Sequence, residues 1–170
     1  MNYQANHPYP VPRVEKPNKE YAYILLQSYA GEVSEDTAIH LYLYQFLTQN
    51  QKDKDLASAL HHIAIVEMHH LQLLGETIQL LGIDPVFKTK DPLKSTMIPW
   101  NATYVNYETK IKQLLEIDIA SEQTAIRNYT LQKEIIEDKY IQNLITRIIE
   151  DEKIHLQIFH HFYQLYKASS

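Results

Sequence analysis

Ser34-Glu35-Asp36-Thr37-Ala38-Ile39-His40-Leu41-Tyr42 and Ser121-Glu122-Gln123-Thr124-Ala125-Ile126-Arg127-Asn128-Tyr129 share one pattern, S-E-x-T-A-I-x-x-Y. A second pattern follows each of them. Ile63-Ala64-Ile65-Val66-Glu67-Met68-His69-His70-Leu71-Gln72 and Ile148-Ile149-Glu150-Asp151-Glu152-Lys153-Ile154-His155-Leu156-Gln157 both read I-x-x-x-E-x-x-H-L-Q. Glu35 precedes Glu67 by 32 residues, and Glu122 precedes Glu152 by 30. Two motifs in the same order at nearly the same spacing read as two copies of one helical hairpin. Packed about an approximate two-fold axis, the copies bring both E-x-x-H segments and both lone glutamates to one central level.

The prolines set the boundaries of this repeat. Pro8, Pro10, Pro12 and Pro17 mark an extended arm over residues 1–18, and Pro85, Pro92 and Pro99 mark a connector over 85–99. Proline fixes its own dihedral and removes a helix donor. The proline-free stretches 18–84 and 100–170 are rich in Leu, Ile, Glu, Gln, Lys and Ala and do not alternate with period two. The polar run Thr48–Asp53 divides the first stretch, with Asn50 and Asp53 as turn or cap residues. A first helix is expected over about 19–48 and a second over about 54–81, ending near Gly82. A third should start near Asn101 or Asn106, turn near 133–137 into a fourth, and end near Tyr166. Short turns join antiparallel neighbours, and a long connector crosses the height of a bundle. The expected fold is all-α: an antiparallel four-helix bundle over 19–168, with one long crossover, about 83–104, between the second and third helices. The crossover should pack along the bundle.

Residues i and i+3 share a helix face, so Glu67 with His70, and Glu152 with His155, point inward together. Ile63, Leu74, Ile148 and Phe159 mark the same apolar stripe. Four glutamates (Glu35, Glu67, Glu122 and Glu152) would then lie in a core where an unpaired carboxylate is costly. Two divalent cations cancel their charge, and two neutral imidazoles complete the donor set. A single E-x-x-H is weak, because Glu and His are common on solvated faces. Two copies, each with a lone glutamate at a matching offset, read as a dinuclear carboxylate site.

Composition narrows the chemistry. The 170 residues contain no cysteine, which excludes disulfides, thiolate-held metal centres and thiol nucleophiles. Three glycines cannot build a phosphate cradle. A net charge of -5 without a basic run disfavours nucleic acid. No apolar run is long enough to span a bilayer and the start is not a signal peptide, so no membrane partner and a cytoplasmic location are expected.

The sequence resembles the ferritin-like superfamily, and within it rubrerythrin-type proteins and manganese catalases, over about residues 19–165. Tyr29-Ala30-Gly31, Glu35 and Tyr42-Leu43-Tyr44 resemble the first rubrerythrin helix. Pro17-Asn18 through Leu26-Gln27 to Gly31 is similar to the start of a manganese catalase, and both E-x-x-H pairs match both groups. The resemblance implies a ferritin-like bundle in which Glu35, Glu67, His70, Glu122, Glu152 and His155 ligate two Mn or two Fe ions, with Glu67 and Glu152 as bridges. Rubrerythrins typically carry a further glutamate one turn after the third-helix ligand, and here that position is Ala125. Their cysteine-ligated electron-transfer centre has no counterpart. Manganese catalases are also longer.

Ligating histidines need an acceptor on the outer nitrogen. Asp151, preceding Glu152 as in many Asp-Glu-x-x-His sites, is expected to hold His70 across the bundle, and Asp118 to serve His155. Tyr42 and Tyr129, seven residues after the lone glutamates, are either core aromatics or catalytic hydroxyls that bond the ligands or bound peroxide. Tyr3, Tyr9, Tyr163 and Tyr166 are expected at the surface or an interface, as are His61, His62, His69, His160 and His161. Glu32 shares a face with Glu35 and could line a metal access path. Mn or Fe can change oxidation state, which zinc cannot. The reaction expected is redox turnover of hydrogen peroxide, catalase-like or peroxidase-like, and the small-molecule substrate expected is hydrogen peroxide or dioxygen. The alternatives are ferroxidase and iron handling, a non-catalytic metal-stabilised bundle, and dinuclear hydrolysis. The proline-rich arm could reach a neighbouring subunit, which suits a homo-oligomer, dimer or larger.

Overall fold

The computed structural model describes residues 2–91, 93–94 and 96–168. Five α-helices dominate: α1 Lys19–Ala30, α2 Glu35–Gln49, α3 Lys54–Leu80, α4 Ile111–Ile135 and α5 Lys139–Ala168. The fold is an all-α bundle. Helices α1 and α2 together fill the position expected of one continuous first helix.

The break between α1 and α2 corrects the expectation of an unbroken helix over 19–48, and its cause is local. The Gly31 N–H donates to the Gln27 carbonyl at 3.0 Å and ends α1. A Cβ at Gly31 would lie 2.4 Å from that same carbonyl oxygen, so only glycine fits. Ser34 then caps α2, its Oγ accepting from the Thr37 N–H and donating to the Gly31 carbonyl at 2.8 Å. Asn18 and Asp53 cap α1 and α3 in the same way. The α4–α5 turn lies at 136–138, and Asp138 Oδ1 accepts from the Tyr140 N–H at 3.0 Å.

The crossover also differs from expectation. Asn101 and Asn106 do not start a helix. Asn101 caps a single 3-10 turn, Ala102–Tyr104, and the Asn106 side chain accepts from the Glu108 N–H at 2.9 Å. Helix α4 begins only at Ile111. Upstream, β1 Lys88–Lys90 and β2 Met97–Pro99 form an antiparallel hairpin with Thr89 opposite Ile98. The crossover is held to the bundle by the Trp100 indole N–H, which donates to Thr37 Oγ1 at 2.9 Å.

The core has two apolar layers with a polar layer between them. Leu25, Leu26, Leu74, Ile78, Ile145 and Ile148 belong to one, and Leu60, Ile63, Leu114, Phe159 and Phe162 to the other. Going along α3, Ile63 and Leu74 bracket Glu67 and His70, and along α5, Ile148 and Phe159 bracket Glu152 and His155. All four bracketing side chains are fully buried. Burying side chains of this size contributes about 1.5–3 kcal/mol each. That contribution allows the fold to carry a charged layer at its centre.

Residues 2–18 contain no helix and fold back against the same chain rather than away from it. The Glu15 N–H donates to Asp138 Oδ2 at 2.6 Å, and the Ala5 N–H to Asp151 Oδ1 at 2.7 Å. Among the described residues, no helix is long and apolar enough to cross a membrane.

Candidate metal centre

Each hairpin contributes the same three side chains to the polar layer. Glu35 opens α2, and Glu67 and His70 lie mid-α3. Glu122 lies mid-α4, and Glu152 and His155 mid-α5. None of the six is more than 3% exposed. They form two overlapping groups whose ligand atoms lie within 4.8 Å of one another: Glu35, Glu67, His70 and Glu152, and Glu67, Glu122, Glu152 and His155. Glu67 and Glu152 belong to both. His70 Nδ1 is 2.9 Å from Glu67 Oε2 and 3.4 Å from Glu152 Oε1. His155 Nδ1 is 3.1 Å from Glu67 Oε1 and 3.1 Å from Glu152 Oε2.

The two tyrosines cross between the hairpins. Tyr42, on α2, donates to Glu122 Oε1 at 2.5 Å, and Tyr129, on α4, donates to Glu35 Oε1. Each therefore fixes the lone glutamate of the other hairpin. Burial, then the facing glutamate, pushes both phenols well above their usual range, so they stay neutral donors.

The charges test whether the cluster suits cations. Burial raises the Glu35 carboxyl well above the usual range, and repulsion from Glu67 adds to it. Glu122 is raised by burial and by Glu152. For Glu67 and Glu152 burial is again the largest influence, but the two histidines outweigh it and hold both carboxylates down. Burial pushes the imidazoles down. The carboxylates, led by Glu35 at His70 and by Glu67 at His155, overcome it and raise both, His155 to about 10. Without metal these shifts all favour retaining protons on the imidazoles and the lone glutamates, which moves the cluster toward neutrality. Two divalent cations would supply the same charge. The residues fit such a pair.

The outer nitrogens of the histidines have different partners. His70 Nε2 lies 3.0 Å from Asp151 Oδ2, the residue expected there. His155 Nε2 lies 2.9 Å from the Tyr3 carbonyl. This corrects the expectation for Asp118, which instead accepts from Gln45 Nε2 at 2.8 Å in a fully buried pair. Burial raises the Asp118 carboxyl strongly, and Gln45 lowers it only in part. Tyr9 is likewise drawn into the interior, its hydroxyl donating to Asp151 Oδ2 at 2.6 Å. Arg147, which is 2% exposed, pairs with Asp151 one helical turn away. Neither Arg147 nor Gln45 belongs to the repeated motifs. The available signal for Arg147 was its place four residues before Asp151 on the inward stripe.

A cavity of about 220 Å³ reaches the cluster from the opposite side. Glu35, Glu67, Glu122, Glu152, Tyr42 and Tyr129 line it within, and Ser121, Ala125 and the exposed Glu32 line it further out. At roughly 30 Å³ per water, it admits several small molecules. His61, His62, His69, His160 and His161 lie outside both ligand groups.

A helical bundle whose core carries two overlapping Glu/His groups defines the ferritin-like class of dinuclear carboxylate proteins. The rubrerythrin family model matches residues 24–163, and the chain belongs to that family. It is 30% identical over 164 aligned residues to a probable manganese catalase of Clostridium acetobutylicum, spanning 86% of this chain and 72% of that protein. Among solved structures it is similar to a manganese catalase from Anabaena at 22% identity and TM-score 0.80, covering 94% of this chain and 78% of that one. A Mycobacterium tuberculosis bacterioferritin shares the fold at 19% identity and TM-score 0.74, covering 90% of this chain and 89% of that one.

Proposed function

We propose that the chain holds two manganese or iron ions between Glu35, Glu67, His70, Glu122, Glu152 and His155 and decomposes hydrogen peroxide in a catalase-like cycle. The overlap of the two ligand groups at Glu67 and Glu152 carries this reading, because shared carboxylates suit a bridged pair better than two separate ions. When bound, such a pair would supply two-electron redox chemistry, with one peroxide reduced to water and a second oxidised to dioxygen.

The protein's own residues do the rest. The cavity brings peroxide to the carboxylate side and limits it to small molecules. The Tyr42 and Tyr129 hydroxyls keep Glu122 and Glu35 oriented by donating to them. The apolar layers on either side exclude bulk water and strengthen every charge interaction between them. Because the chain has no thiol, no cysteine-held centre within it can relay electrons. That favours peroxide as both oxidant and reductant over a peroxidase cycle, which needs an external donor.

Likeness of fold to a bacterioferritin supports a second reading, ferroxidase and iron handling, in which Fe(II) is substrate. We also propose a homo-oligomer, supported by Leu43 and Leu47 exposed on α2 and Leu131 and Ile135 exposed on α4. Oxygen evolution from hydrogen peroxide by the Mn-loaded protein, without added reductant, is the expected result. Peroxide consumption only with a reductant would indicate a peroxidase. Fe(II) oxidation well beyond two ions per chain, in a large particle, would indicate iron handling.

A further inference from the structure

One short stretch of the N-terminal arm serves both histidines. The Tyr3 carbonyl lies 2.9 Å from His155 Nε2. The Ala5 N–H and the Tyr9 hydroxyl donate to the two oxygens of Asp151 at 2.7 and 2.6 Å, and Asp151 Oδ2 in turn meets His70 Nε2 at 3.0 Å. Arg147 ties the stretch down. It donates from Nε to the His7 carbonyl at 3.1 Å and from Nη2 to the Ala5 carbonyl at 3.0 Å, lies 4.1 Å over the Tyr9 ring, and pairs with Asp151. Tyr3 also stacks on His62 of α3 at 4.7 Å.

We propose that residues 3–9 are a positioning strap for the metal centre, setting the tautomer and orientation of both His70 and His155. The chemistry is direct. A carboxylate and a backbone carbonyl can only accept, so each histidine must carry its proton on Nε2. Once the Nδ1 proton is given up to a metal, the Nδ1 lone pair would be the one on the side of the shared glutamates. Without an acceptor, either ring is free to present the wrong nitrogen or rotate away. The two halves of the strap are unequal. His70 meets the Asp151 carboxylate, which the Ala5 N–H, the Tyr9 hydroxyl and Arg147 also address, and His155 meets a neutral carbonyl. The imidazole facing the anion is the more basic donor, so two bound ions would be inequivalent despite the repeated ligand set. The repeat explains the difference, because α3 has Val66 where α5 has Asp151. The chain supplies the missing acceptor from outside the bundle.

This inference rests on the dinuclear reading, and one titration separates the two. Mn(II) is added to the metal-free full chain, to a variant lacking residues 2–4 and to a variant lacking residues 2–9, and bound ion is followed by electron paramagnetic resonance. Circular dichroism checks that each remains helical. The full chain is expected to take two ions. Loss of residues 2–4 should weaken one ion about tenfold and alter its resonance, leaving the other as it was. Loss of residues 2–9 should weaken both by about tenfold or more. Two ions at full-chain affinity with unchanged spectra in the shorter chains would overturn the strap alone. If the longer deletion fails to fold, the deletion of 2–4 decides by the same criterion. No Mn(II) or Fe(II) bound by the full chain would overturn the dinuclear reading and the strap with it.

Discussion

The two sides of the buried cluster are built differently. On the histidine side, the arm, Asp151 and Arg147 close over both imidazoles with fixed hydrogen bonds. A cleft remains between the arm and α3, lined by His62, Ile65 and Val66, but none of the six cluster residues borders it. On the carboxylate side, all four glutamates and two tyrosine hydroxyls face a cavity with the exposed Glu32 along its wall. On the proposed reading, the closed side would govern how tightly ions are held, and the open side what reaches them. Changes on one side should therefore leave the other side's property intact.

The largest effect is expected where the two sides meet. Glu67→Ala removes a carboxylate common to both ligand groups, so paired metal loading should be lost and peroxide turnover should fall by at least ~100-fold. Metal analysis together with oxygen evolution checks this. Narrowing the open side alone gives a different result. Ala125→Phe projects a ring into the cavity, and kcat/KM for peroxide should fall by about 50-fold with two ions still bound. Loss of metal in that variant would mean that the sides are not separable. Tyr42→Phe and Tyr129→Phe each delete one hydroxyl from a lone glutamate. Each should lower kcat by about fivefold, the equivalent of about 1 kcal/mol, without releasing metal.

The smallest effect is on the metal-free protein and concerns pH. His155 is raised from 6.5 to about 10 in the folded chain, and His70 is raised as well. A raised histidine stabilises the fold fully below its unfolded value, and that contribution is lost as pH climbs through the folded value. Glu35 and Glu122 are also raised, so the folded state again binds more protons than the unfolded one, with the same sign. The melting temperature of metal-free protein should fall by several degrees between about pH 6.5 and 10. Metal binding at neutral pH should release up to about four protons per chain, which a weakly buffered titration would detect. A metal-free melting temperature that rises over this range would contradict the charge assignment.

The helical positions of the cluster were legible in the sequence, and the arm that closes over its histidines was not. Glu35, Glu67, Glu122, Glu152, Tyr42 and Tyr129 sit at fixed helical offsets, and a repeated motif shows twice which residues share a face. Asp151 could be read for the same reason, being next to Glu152 on one helix. Tyr3, Ala5 and Tyr9 belong to an extended segment with no period, and their partners lie more than 140 residues away in the chain. Nothing local distinguishes a surface tyrosine from one drawn over a histidine. Asp118 was misplaced for a related reason. Its offset from Glu122 puts it on the inward stripe but does not say which neighbour meets it, and Gln45 does. The break at Gly31–Ser34 carried readable signals, a glycine followed by a serine cap, hidden within a stretch otherwise good for helix. The crossover hairpin depends on pairing between short segments whose partners the sequence does not specify.

Anomalous diffraction from metal-loaded crystals, recorded at both the manganese and the iron absorption edges, tests the central claim most directly. Two peaks of one element are expected, enclosed by Glu35, Glu67, His70, Glu122, Glu152 and His155. One peak, none, or peaks outside these six side chains would contradict the dinuclear assignment.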